Sequence, residues 1–211
     1  MFLHLVAILL ASVLGERVDF SDFVDIDYTA EVLPYAKKQT KANDCWYACI
    51  QMLKSSAACG KVKPVESDGQ RRSFLSAIVP FKFDVLGKPI NFWTLEGSKI
   101  LRQNGLEKDD GPVNLQDGGT MGYSVTDLQR ELAAKGPLIV LGKAPLPLGE
   151  GHFELLVGIK EGMYKMLDPW DGTAKSFTEE QFLAWAKLNS YNNLWAIYWA
   201  TSWKEERQTS C

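Results

Sequence analysis

Two apolar runs, Phe153–Ile159 and Tyr164–Leu167, are joined by only Lys160-Glu161-Gly162, and that short connection constrains the fold more than any other feature. Parallel strands need a crossover of a dozen or more residues, so strands this close must form an antiparallel hairpin. A third run, Leu138–Leu141, precedes them after a helix ending in Gly-Pro, and Leu194–Ala200 supplies a last aromatic strand. Helices punctuate the strands. Ser124 with Asp127 three residues later resembles a capping box for a helix over Val125–Lys135, and Gly136 ends it. Thr178 with Gln181 starts another, running to about Leu188.

The N-terminal half is less regular. Ala48, Cys49, Met52 and Leu53 form one apolar stripe, with Asn43 or Asp44 offering an N-cap oxygen, so a helix is expected from there to about Ser56. Ile26–Leu33 alternates well enough for a short strand. Between residues 57 and 120, Gly60, Pro64, Gly69, Gly87 and Pro89 interrupt any period. Within that stretch Asn91–Asn104 suggests a helix ended by Gly105, and Asp109-Asp110-Gly111-Pro112 and Gln116-Asp117-Gly118-Gly119 are turn chemistry. One early helix followed by a mostly antiparallel sheet is an α+β arrangement.

At 211 residues the chain is one domain plus short flanking segments, long enough for a real core. A net charge of −3 and a pI near 5.5, with no basic cluster among aromatics, exclude nucleic acid as an expected partner. Residues 1–15 carry an apolar run too short to span a bilayer but suited to a secretory signal, with Val13 and Gly15 small enough to flank a cleavage point; no Lys or Arg precedes it. No other stretch is long and apolar enough for a membrane span, so secretion is the expectation. Residues 16–34 then read as a lead-in and 204–211 as a polar tail. The four cysteines contain no CxxC pair, and neither a metal nor a cofactor is expected. With Cys45 set aside, Cys49, Cys59 and Cys211 permit one disulfide, and Cys49–Cys59 is the pair easiest to close.

Cys45 sits where the first helix begins, six positions after Gln39. Unpaired amides and the positive end of the helix dipole favour a thiolate there. The chain has two histidines, and His4 lies in the apolar N-terminal run, so a general-base imidazole has to be His152. His152 opens one hairpin strand and Asp168 ends the other, which puts them at the same end of the pair, where Asp168 can accept a ring N–H and orient the base. Gln39, with the backbone N–H of Cys45, can face a developing oxyanion. Each residue alone has an ordinary explanation: a buried thiol, a strand-rim histidine, a turn-initiating aspartate, a solvated glutamine. Together their identity, order and spacing suit a cysteine-nucleophile hydrolase.

The string QTKANDCWYACIQML resembles the nucleophile segment of papain-like cysteine peptidases, in which a glutamine precedes the Cys-Trp pair by six residues. Residues 35–200 more closely resemble the compact papain-like group of bacteriocin-leader peptidases and bacterial avirulence-effector proteases, through DLQRELAAKGPLIVL, GHFELLVGI and MLDPWDG. The resemblance implies a papain-like peptidase domain over 35–203, its nucleophile helix packed on the C-terminal sheet. It implies Cys45 as nucleophile, His152 as base, Asp168 as orienting residue and Gln39 at the oxyanion. It is specific at these blocks and weak over 57–120. Many papain-type enzymes orient the histidine with Asn; Asp168 fits the compact group. The expected substrate is a peptide or protein, cleaved at a peptide or isopeptide bond through an acyl-enzyme. The same residues would serve an amidase or a transglutaminase-type acyl transferase, and a related domain can bind peptides without cleaving them.

Overall fold

The computed structural model describes residues 25–40, 44–61, 102–109, 113–114, 120–121, 125–143, 151–186, 197–200 and 202–211. The expected signal segment 1–15, His4, the lead-in up to residue 24, most of the helix expected over 91–104, the turn residues 110–112 and 116–119, and the Ser124 cap lie outside them.

The chain runs β1 (Ile26–Asp27), α1 (Thr29–Val32), a 3-10 turn (Leu33–Tyr35), α2 (Cys45–Ala57), β2 (Leu106–Asp109), β3 (Val113–Asn114), β4 (Thr120–Met121), α3 (Val125–Lys135), β5 (Leu138–Gly142), β6 (His152–Lys160), β7 (Met163–Asp168), β8 (Thr173–Thr178), α4 (Glu179–Ala186), β9 (Ile197–Ala200) and α5 (Trp203–Ser210). The main sheet has the order β2-β9-β5-β6-β7-β8, every pairing antiparallel, and β3 pairs with β4 separately. Helices on a curled antiparallel sheet make an α+β fold.

Local chemistry explains the elements that position the site. The hairpin β6–β7 turns on Glu161 and Gly162, both at positive φ (52° and 72°), the left-handed pair a two-residue turn requires. The Thr178 hydroxyl accepts from the Gln181 N–H, and the Gln181 side chain accepts from the Thr178 N–H, a reciprocal capping box that starts α4. Gly136, at φ 91°, ends α3 with its N–H on the Leu132 carbonyl.

Burial splits the core across the sheet. Leu155, Val157, Leu167 and Ile139 pack with Cys49, Met52 and Leu53 of α2 and Trp203 of α5. Leu138, Val140, Leu156 and Met166 face Leu128 and Leu132 of α3 and Phe182 of α4 on the other side. A register shift between Leu156 and Gly158 turns Ile159 into the second cluster, where strict alternation would have put it in the first.

Four expectations are corrected. Ile26–Leu33 is not a strand: Ile26–Asp27 alone pair, with Ile159 and Gly158, before the chain coils into α1 and the 3-10 turn. β1 occupies the edge of β6 beyond the end of β5, and Pro34 sits where a helical turn tolerates it. Asp44 precedes α2 without capping it; its carboxylate accepts from the Thr40 hydroxyl at 3.2 Å. The disulfide joins Cys59 to Cys211, not to Cys49, because Cys49 points into the core from α2 while Cys59 lies past the helix end. The residues read as a polar tail form α5, which lies against α2: Trp203 Nε1 donates to Ser56 Oγ at 2.9 Å, and Arg207 donates to the Ser56 carbonyl at 2.8 Å. Among the described residues no helix is long and apolar enough to cross a membrane.

Candidate active site

Cys45 is the first residue of α2, His152 the first of β6 and Asp168 the last of β7; all three are buried. The register Leu155↔Leu167 holds the start of β6 against the end of β7. Nε2 of His152 lies 2.7 Å from Oδ1 of Asp168. The Cys45 thiol is the other side chain hydrogen-bonded to the ring, so two residues far apart in sequence hold one imidazole.

The turn after β7 is built around Asp168. Its Oδ1 also accepts from the Trp170 N–H at 2.7 Å, and its Oδ2 accepts from the Lys175 ammonium, carried on β8. Its carbonyl accepts from Gly172, whose φ of 77° closes the turn. Gln39 is buried beside this turn, its backbone N–H donating to the Pro169 carbonyl at 2.6 Å. The Trp170 indole stands edge-on to the imidazole, ring centroids 6.4 Å apart, with its outer face exposed.

Burial works against a charged imidazole, but the hydrogen bonds to Asp168 and Cys45 outweigh it and lift His152 to about 9. Burial also opposes the Asp168 carboxylate, yet bonds from His152, Lys175 and the Trp170 N–H hold it at about 2. An imidazolium beside an aspartate is thus the stable form at neutral pH.

The second free thiol differs in kind. Cys49, one helical turn after Cys45, donates to the Phe153 carbonyl at 3.4 Å, and burial pushes its pKa well above the ordinary thiol value. It stays a thiol, a packed part of the core.

The arrangement contains groups that sequence reasoning missed. Glu154 is buried two residues after His152, and a carboxylate inside the apolar run GHFELLVGI was a visible anomaly. Lys175 left no sequence signal, since its contact with Asp168 depends on how β8 pairs with β7. His152, Glu154 and Asp168 bring one donor atom each within 4.8 Å of one another. Asp168 is already committed to His152, Trp170 and Lys175, so the cluster is organised around its own charges.

Residues 95–187 match the family model described as Papain-like cysteine protease AvrRpt2. The matched span is somewhat under half of the chain; it includes His152, Glu154, Asp168 and Lys175 and leaves out Gln39 and Cys45. No curated protein matches the chain.

Proposed function

We propose that the chain, as a papain-like cysteine peptidase of the avirulence-effector type, cleaves its protein substrate through an acyl-enzyme on Cys45, with His152 as general base, Asp168 orienting the ring and Gln39 at the oxyanion. One observation carries this reading: the His152 ring is hydrogen-bonded to both the Cys45 thiol and the Asp168 carboxylate.

A thiol with an ordinary pKa near 8.5 is mostly protonated at neutral pH, and the thiolate is the nucleophile. The neutral imidazole of His152 takes the thiol proton, and because the ring keeps its charge up to about 9 it remains as imidazolium beside the thiolate. The thiolate attacks the scissile carbonyl, and the negative charge moves to its oxygen. The backbone N–H of Cys45, at the start of α2 with no intrahelical partner to bond, and the Gln39 side chain stabilise that oxygen. The imidazolium then gives its proton to the leaving amine. Water, deprotonated by His152, releases the acyl group and returns the thiol. Secretion belongs to the same reading, supported by the apolar N-terminal run and by Cys59–Cys211, since disulfides persist in oxidising compartments.

The test is the pH dependence of Cys45 alkylation by iodoacetamide, followed by peptide mapping, in wild type and His152→Ala. A low apparent pKa that rises in the variant is expected, together with loss of peptide hydrolysis in Cys45→Ser and His152→Ala. An ordinary thiol titration in both proteins, or wild-type hydrolysis by either variant, overturns the assignment.

A further inference from the structure

Glu154 takes no part in the chemistry above, yet it is only 2% exposed inside the apolar strand β6. Residues two apart on a strand project from the same side, so Glu154 shares a face with His152. The pairing Leu155↔Leu167 puts Asp168 on that face, and Met166↔Lys175 adds Lys175. Oε1 of Glu154 stands 3.9 Å from Nε2 of His152. Its Oε2 is buried and has no hydrogen-bond partner among the described residues. Burying a carboxyl without satisfying it is unfavourable, and an apolar side chain of similar size would fill the space without that penalty. Packing therefore gives no reason for a glutamate here. Its neighbours do.

The groups that face it are His152 on its own strand, Asp168 on β7, Asp171 in the following turn, Lys175 on β8, and Cys49 on α2. Asp168 repels a charge on Glu154, and Lys175 and His152 attract it. The imidazole is the cation on the same strand face, 3.9 Å away, so a charge on Glu154 acts on it directly. We propose that Glu154 is a positioning residue, its buried carboxylate keeping the His152 imidazolium charged beside Cys45 and so extending the active thiolate–imidazolium pair to higher pH. This role rests on the peptidase reading given above.

The direction of the effect follows from when each group ionises. Burial, then Asp168, push Glu154 up, while His152 and Lys175 pull it back, and it titrates at about 7. Below that pH the carboxyl is neutral, and Asp168 and Cys45 hold the imidazolium. Above it, a second anion stands near the ring over the range in which the ring approaches its own loss of charge at about 9. A charge within about 4–6 Å moves a pKa by roughly 1–3 units. Removing the carboxylate should therefore bring the His152 midpoint down by about one unit or more.

The experiment follows the ring C2 proton of His152 by NMR against pH in wild type and Glu154→Gln; with two histidines in the chain, two such signals need assignment. The wild type is expected to show a small inflection near 7 before the main transition near 9. Glu154→Gln is expected to lose the first and to lower the second, while Glu154→Asp, which keeps the charge, restores a two-step curve. A single-step wild-type curve overturns the proposal even where Glu154→Gln fails to fold. So does an unchanged His152 midpoint in a folded Glu154→Gln. Neither readout needs turnover. A protein that titrates as described but cleaves no peptide counts against the peptidase reading alone, and one that cleaves peptide with an unaltered titration counts against the role of Glu154 alone.

Discussion

Replacing Asp168 by Asn removes one charge and almost no volume, so its consequence is readable in the electrostatics of the site. The carboxylate accepts from His152, from the Trp170 N–H and from Lys175. Lowering Asp168 from its ordinary 3.8 to about 2 corresponds to about 2 kcal/mol of stabilisation, and raising His152 from 6.5 to about 9 to on the order of 3 kcal/mol. These are two views of one pairing and do not add. The imidazole's figure is larger because the ring also faces Cys45, so about 2 kcal/mol is the amount to attach to His152 and Asp168 together. The His152 contribution is fully present below 6.5 and is lost as pH rises through about 9; the Asp168 contribution is present above 3.8 and is lost as pH falls through about 2. Asp168→Asn should therefore destabilise the protein most between those windows. Urea unfolding of both proteins at pH 6 and pH 10 measures this. The deficit should be about 2 kcal/mol larger at pH 6 than at pH 10. An equal deficit at both would mean that shape, not the charge on His152, is what Asp168 provides.

Three further outcomes follow from the same geometry. Gln39→Ala should lower kcat/KM on a peptide substrate by about 10²–10³-fold while leaving the pH profile of Cys45 alkylation unchanged; a shifted profile would place Gln39 in the ion pair rather than at the oxyanion. Cys59→Ser opens a loop closed across a sequence separation of 152 residues, for which chain entropy gives about 5 kcal/mol, read as a fall in the urea midpoint. A loss under about 1 kcal/mol would show that Trp203 and Arg207 hold α5 on their own. Gly158→Ala would put a Cβ 2.5 Å from the Ile26 carbonyl oxygen and 2.9 Å from the Asp27 Cα. It should cost about 1–3 kcal/mol and speed hydrogen exchange at the Tyr28 N–H, which bonds to Val157; unaltered exchange would show that β1 yields without detaching.

What could be read along the chain was short-range. The Glu161-Gly162 turn, the Thr178–Gln181 box, the Gly136 stop and the apolar stripe of α2 each lie within one or two turns of backbone, where residue type alone selects the conformation. Because the hairpin is local, the proximity of His152 and Asp168 was legible too. Alternation misled at Ile26–Leu33, where two residues suffice to cover the free edge of β6 and the rest are free to coil.

The remainder was settled by tertiary packing. β8 has no apolar alternation to announce it; Thr173–Thr178 is a strand because it pairs along β7, and that register alone delivers Lys175 to Asp168. The partner of Cys59 waits at the last residue, brought in by the docking of α5. The burial of Glu154 against the imidazole was equally out of reach, since an acidic residue in a strand reads as solvated until the sheet and its neighbours enclose it. Sequence thus determined which groups stand on which local elements. The fold decided which charges share a buried space, because contacts between distant strands depend on register and layer packing that no local pattern encodes.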